Sequence, residues 1–206
     1  MKIMPTTVIS LVSIGFLVCA DTSEAITLGF TRVTSNSAVD ISDDLTLEVM
    51  NGGPSTVQFS FSKGNMYDGF ITQIYFEDSN GLLSSIGFSA GLSTPEVVYD
   101  SPATPGHPPG VNPFDTDFSF DPNNPQPKNG ISAGEIGTFI GTFESPADFD
   151  DLKDAIEEGE FRVALHAQGL LNDESDSFVT ELIPEPGVSI LSAVAFLILL
   201  TRRVRT

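Results

Sequence analysis

The chain has no tryptophan, one cysteine, two histidines and only nine lysines and arginines among 206 residues. Each scarcity excludes something. Without tryptophan, flat aromatic platforms for stacking sugars are limited to Tyr67, Tyr75 and Tyr99. Cys19 lies in the apolar stretch near the N-terminus, so a chain that loses this stretch has no disulfide and no cysteine metal site. His107 and His166 are far apart, and without cysteine they do not suggest a transition-metal centre. The shortage of basic residues is concentrated in the body. Between residues 26 and 183, 25 carboxylates face only Arg32, Lys63, Lys128, Lys153 and Arg162, a net charge of −20. Such a surface repels nucleic acid and anionic lipid, which excludes a nucleic-acid partner. A long uncharged apolar run is also missing from the body, where 14 of the chain's 16 phenylalanines must supply the core without staples.

Such runs occur only near the two ends. MKIMPTTVISLVSIGFLVCADTSEA has an early lysine, an apolar run and then small residues, the layout of a secretory signal peptide. Cleavage is expected after Ala25, with Ala20 as the alternative; lipoprotein processing at Cys19 is opposed by Val18, where a small residue belongs. At the other end, residues 187–201 carry no charge. As a helix this run reaches about 22 Å, short of a hydrocarbon core of about 30 Å, so it is a marginal single span. Arg202, Arg203 and Arg205 follow it directly and would be held on the cytoplasmic side.

Pro184-Glu185-Pro186, the short apolar run and Arg202-Arg203 occur in that order at the C-terminus. This arrangement resembles the PEP-CTERM sorting signal of Gram-negative bacteria, with Ile183 where the family usually has valine. The resemblance implies recognition of the tripeptide by an exosortase, an integral-membrane cysteine transpeptidase, in cells that make exopolysaccharide. It covers about two dozen residues and implies a fate rather than an activity. Chemistry agrees with that role: two prolines hold the segment extended and remove backbone donors, leaving Glu185 as a single exposed charge. HAQGLLNDESDSFV (166–179) loosely resembles the ending of β-rich bodies that carry such tails.

Three domains are therefore expected: a signal peptide over 1–25, an ectodomain over 26–182, and a sorting and anchor segment over 183–206. The ectodomain reads as all-β. Leu45, Leu47 and Val49 alternate with polar neighbours, as do Val57, Phe59 and Phe61, and Phe70, Thr72, Ile74 and Phe76 line one side of a third run. Asn51-Gly52, Asn80-Gly81 and Asn129-Gly130 suit tight turns. Further strands are expected at 97–99, 114–120, 135–143, 161–165 and 177–181. Many short strands in a chain of this size predict an antiparallel β-sandwich or jelly roll. One short helix interrupts them, SPADFDDLKDAIEEG, with Ser145 as N-cap, Pro146 in the first turn, Phe149, Leu152 and Ile156 on one face, and Gly159 closing it.

Chemistry-bearing patterns are sparse. Gly87-Phe88-Ser89-Ala90-Gly91 matches the G-x-S-x-G elbow of hydrolases, with His166 downstream, but Pro95 stops the helix this elbow requires. Along FDTDFSFD, Asp115, Asp117, Ser119 and Asp121 alternate with Phe114, Thr116, Phe118 and Phe120. That row is a candidate Ca²⁺ collector or a solvated strand face. The proline-rich loops 101–114 and 121–130 flank this strand and offer a candidate binding edge. The expected function is a non-enzymatic envelope or extracellular-matrix protein with no required cofactor. Its expected partners are an exosortase-like transpeptidase, the inner membrane through its tail, and exopolysaccharide. A carbohydrate-binding module and a secreted hydrolase are the alternatives.

Overall fold

The computed structural model describes residues 25–182. Ten strands follow one another: β1 (Ala25–Arg32), β2 (Leu45–Gly53), β3 (Thr56–Lys63), β4 (Phe70–Asp78), β5 (Leu83–Phe88), β6 (Tyr99–Asp100), β7 (Phe118–Pro122), β8 (Ile136–Phe143), β9 (Phe161–Gln168) and β10 (Ser175–Leu182), with the helix α1 (Phe149–Glu158) between β8 and β9. They form one antiparallel sheet in the order β5-β8-β3-β2-β1-β10-β9-β4-β7-β6. The expected all-β antiparallel class with one short helix is observed. The two separate sheets of a sandwich are not, because β1 pairs with both β2 and β10 and so joins the halves by hydrogen bonds. Accumulated strand twist rolls so wide a sheet until its halves face one another. The roll nearly closes where Phe88 of β5 meets Tyr99 of β6, ring centroids 5.8 Å apart.

Phenylalanine fills the space between the halves. Phe59, Phe61 and Phe139 from one half meet Phe76, Phe120 and Phe161 from the other, and Phe139 and Phe120 lie 4.8 Å apart. Rings of this size fit because β8 alternates them with glycine on its inner side. A Cβ at Gly141 would lie 2.8 Å from Val57, and one at Gly137 would lie 2.6 Å from Ile131.

Inward alternation holds for β2 and β3 as expected: Leu45, Leu47, Val49, Val57, Phe59 and Phe61 are all buried. On β4 it does not. A register shift between Ile71 and Gln73 sends Ile71, Ile74 and Phe76 into the core, while Thr72 turns to the His166 carbonyl and donates to it at 3.0 Å. Bulges re-aim side chains in this way, and period-two reading cannot see them. The strand expected over 114–120 starts only at Phe118, because residues 114–117 belong to a loop that crosses the outside of the sheet. The strand expected at 97–99 is the two-residue β6.

The helix begins later than its sequence suggests. Asp148, not Ser145, is the N-cap: its carboxylate accepts from the amides of Asp150 (2.9 Å) and Asp151 (3.3 Å), and Asp151 returns a bond to the Asp148 amide. An aspartate pair therefore forms the capping box. Gly159 ends the helix in the left-handed conformation, φ 76°. Phe149, Leu152, Ala155 and Ile156 are buried, leaving the acids outside. Asp148→Ala is expected to cost about 1 kcal/mol. A urea titration read at α1 and at the sheet should show one common transition at lower urea.

Candidate functional site

Buried carboxylates in this protein hold loops. Asp176 accepts from Arg32 Nη2 (2.6 Å), Thr34 Oγ1 (2.9 Å) and the amides of Asn36 (2.8 Å) and Ser37 (3.1 Å), and so ties the segment after β1 to the start of β10. Asp44 pairs with the fully buried Lys63 at 3.2 Å and accepts from the amides of Met66 and Tyr67, closing the β3–β4 connection. Glu77 pairs with Arg162 and accepts from the Asp115 amide at 3.0 Å. Three of the five basic residues of the body are thus consumed in partly or fully buried pairs that brace loops. A fourth, Lys153, lies 3.6 Å from Asp150 on the surface of α1.

The residues singled out in sequence are dispersed by the fold. Ser89 follows the end of β5 at the sheet edge and leads into a 3₁₀ turn, Ala90–Leu92, not an α-helix. His166 lies on β9, in the other half of the sheet, with Nδ1 3.2 Å from Ser177 Oγ. Burial holds its imidazole below the usual range, against the opposing pull of Asp176. Asp176 follows in that neighbourhood, but its carboxylate is committed to Arg32, and both Ser177 and His166 are buried. His107 is an exposed loop residue.

The candidate Ca²⁺ row is divided among separate tasks. Asp117 accepts from the Asp78 amide at 2.7 Å, Asp121 accepts from the Thr104 amide at 2.8 Å, and Asp115 is exposed. Burial pushes the Asp121 carboxyl up, partly offset by bonds from Thr104 and Gln73. Ser119, expected on a solvated face, is buried and accepts from the Ala103 amide at 3.1 Å. Among the described residues no three His, Cys, Asp or Glu side chains converge as metal ligands would.

Residues 101–114, expected as one side of a candidate binding edge, instead continue through residue 117 as a strap over the outer face of β4, β7 and β9. Tyr75 donates to the Pro105 carbonyl at 3.0 Å and Gln73 to the Thr104 carbonyl at 2.7 Å. Arg162 sits 5.3 Å over the Phe114 ring. Tyr75, Ala103 and Ala164 form a small second core beneath the strap. Tyr75 and Tyr99 are buried, so of the three tyrosines only the half-buried Tyr67 is open to a ligand.

Among the described residues, an open cleft of about 480 Å³ lies between the β2–β3 turn and the start of α1, and two further surfaces are open. At the end of the roll where β1, β3 and β9 finish, an apolar cleft of about 170 Å³ between Ile41, Met66, Tyr67 and Leu170 adjoins an open one of about 470 Å³ lined by Asp40, Ser42 and Asp43. Burial would raise the Asp40 carboxyl, but bonds from Ser42 and the field of Arg32 outweigh it and hold it low. The second surface is the outer face of β5, β8 and β3, open except where the turn at Leu92 and Ser93 covers Thr138. Its outward residues are Ser85, Gly87, Ile140, Thr142, Thr56, Gln58, Ser60 and Ser62, and none is charged. Nothing in local alternation reveals this face, because it requires knowing that β5, β8 and β3 are neighbours.

The sorting-signal residues Pro184, Glu185, Pro186, Arg202 and Arg203 lie outside the described residues, as do residues 1–24 of the signal peptide. Ala25 is the first residue of β1 and pairs with Met50. Among the described residues no helix is long and apolar enough to cross a membrane. Comparison with models of protein families, with curated proteins and with solved structures finds no match to this chain.

Proposed function

We propose that this is an exported, non-enzymatic protein of the cell envelope or extracellular matrix, sorted by its C-terminal segment. The order Pro184-Glu185-Pro186, apolar run, Arg202-Arg203 carries this reading. Residues 1–25 act as the export signal, and a membrane transpeptidase of the exosortase type processes the tail. The geometry of the body supports it. β1 and β10 are paired neighbours, Leu28 opposite Leu182, so the chain enters and leaves the body at the same end. The tripeptide begins two residues after the last strand residue, a spacing that suits processing beside a bulky β-body. The engagement of the buried carboxylates as loop braces favours a structural body over a catalytic one.

The second reading is a β-rich module for exopolysaccharide. It is favoured by the uncharged hydroxyl and amide face of β5, β8 and β3, which matches the hydrogen-bonding groups of a neutral sugar. It is disfavoured by the burial of Tyr75 and Tyr99. Binding of a neutral glycan by the wild type, lost in a Gln58→Ala, Thr142→Ala double variant, would promote it to first place.

Intact mass of protein recovered from the host's envelope and medium tests the sorting reading. The wild type is expected to lack residues 1–25 and to end near 184–186. Glu185→Ala is expected to leave a membrane-held chain ending at Thr206. Identical C-termini in both proteins would sink the proposal.

A further inference from the structure

A sheet edge is a row of unpaired backbone donors and acceptors, and natural proteins guard such edges with charge, proline or brevity. The two edges of this sheet are treated differently. β6 is two residues long and is followed by the strap. β5 is six residues long, and its outer side pairs with no strand among the described residues. It carries no guarding charge. Residues 79–95 contain no Asp, Glu, Lys or Arg at all, in a body whose net charge is −20. The surroundings continue this neutrality: Leu92 is 53% exposed, Ile136 at the start of β8 is 45% exposed, and the adjoining outer face of β8 and β3 is uncharged.

Gly87 supplies an independent observation. It lies inside β5, its backbone is not left-handed, and a Cβ built on it would meet nothing within 4 Å. Neither conformation nor internal packing requires glycine there. A glycine of this kind in a strand suits the close approach of another backbone.

We propose that β5 is a self-association edge, at which a second copy of this chain adds its own β5 antiparallel across a two-fold axis. Antiparallel edge-to-edge pairing is isologous, so one strand supplies both halves of the interface. Charge selects the partner's orientation. Two bodies of net charge −20 repel over most of their surface, and the neutral edge is where they can meet with least opposition. The contact should therefore tighten as salt screens the remaining repulsion. It is independent of how the tail is processed.

Gly87→Glu tests the edge without threatening the fold, since the new side chain enters open space. Gly106→Glu, on the strap of the other half and equally unobstructed, places the same charge away from β5. Sedimentation equilibrium of the full chain in density-matched detergent, at about 20 mM and about 0.5 M salt, reads the association. The wild type and Gly106→Glu are expected to associate alike, more tightly at high salt. Gly87→Glu should be weaker by about tenfold or more, because the two-fold axis brings the new charge of one copy toward the same charge on the other. A wild type that stays monomeric, or a Gly87→Glu chain that associates as the wild type does, overturns the proposal.

Discussion

Replacing Asp176 with alanine is expected to lower the unfolding free energy by about 3 kcal/mol, the lower part of the range for breaking a buried pair. The carboxylate is fully buried and receives four donors, one from Arg32 and three from Thr34, Asn36 and Ser37 beyond the end of β1. Its loss takes a partner from all four at once, and Arg32 keeps only the carbonyls of Thr34 and Ser37. The Arg32 side chain is 15% exposed, so water can partly resolvate the guanidinium, which is why the lower figure applies. For a body of this size the midpoint should fall by about 6–12 °C. Asp176→Asn should cost less, since an amide oxygen still accepts from Thr34 and the Asn36 amide. The double variant Arg32→Met, Asp176→Leu should be more stable than Asp176→Ala, because no buried charge is then left alone. A double variant less stable than the single would show that the hydrogen bonds to the loop, not the charges, supply the stability.

The second large effect is expected from Phe139→Ala, at about 4 kcal/mol in chemical denaturation. Phe139 is fully buried at the seam of the rolled sheet. Its ring meets Phe61 at 5.6 Å in its own half, and Phe76, Phe120 and Tyr99 in the other. Removing it takes away both apolar surface and the edge-to-face contacts that couple the halves, and the flanking glycines offer nothing to fill the gap. Phe143, at the end of the same strand and 7% exposed, makes the comparison. Phe143→Ala should be clearly milder. Equal losses would mean that the seam has no special weight and that burial alone sets the cost.

Both effects arise from the same circumstance. Without a cysteine in the body, the protein cannot cross-link its loops covalently, and it fastens them with carboxylates placed inside the ends of the roll. Asp176, Asp44 and Asp78 each collect two or more donors from neighbouring loops, and Glu77 adds the strap through Asp115 and Arg162. In the sequence these four acids are indistinguishable from the many that simply face water.

Much was legible in order of residues alone. The inward faces of β2 and β3, the helix face of Phe149, Leu152 and Ile156, and its closure at Gly159 follow from period and from glycine's access to the left-handed region, which are local properties. The proline-bracketed Glu185 and the arginines behind the apolar run are equally local, and they carry the proposed fate of the chain. What lay beyond the sequence was long-range. Whether Ser119 is wet depends on Ala103, 16 residues away, lying over it; whether Tyr75 can meet a ligand depends on Pro105 covering it. The neutral edge at β5 depends on which strand ends the sheet. Local order sets which way a side chain points, but only pairing across the sheet and the path of the strap set what it points at, because those contacts join residues that the backbone alone does not bring together.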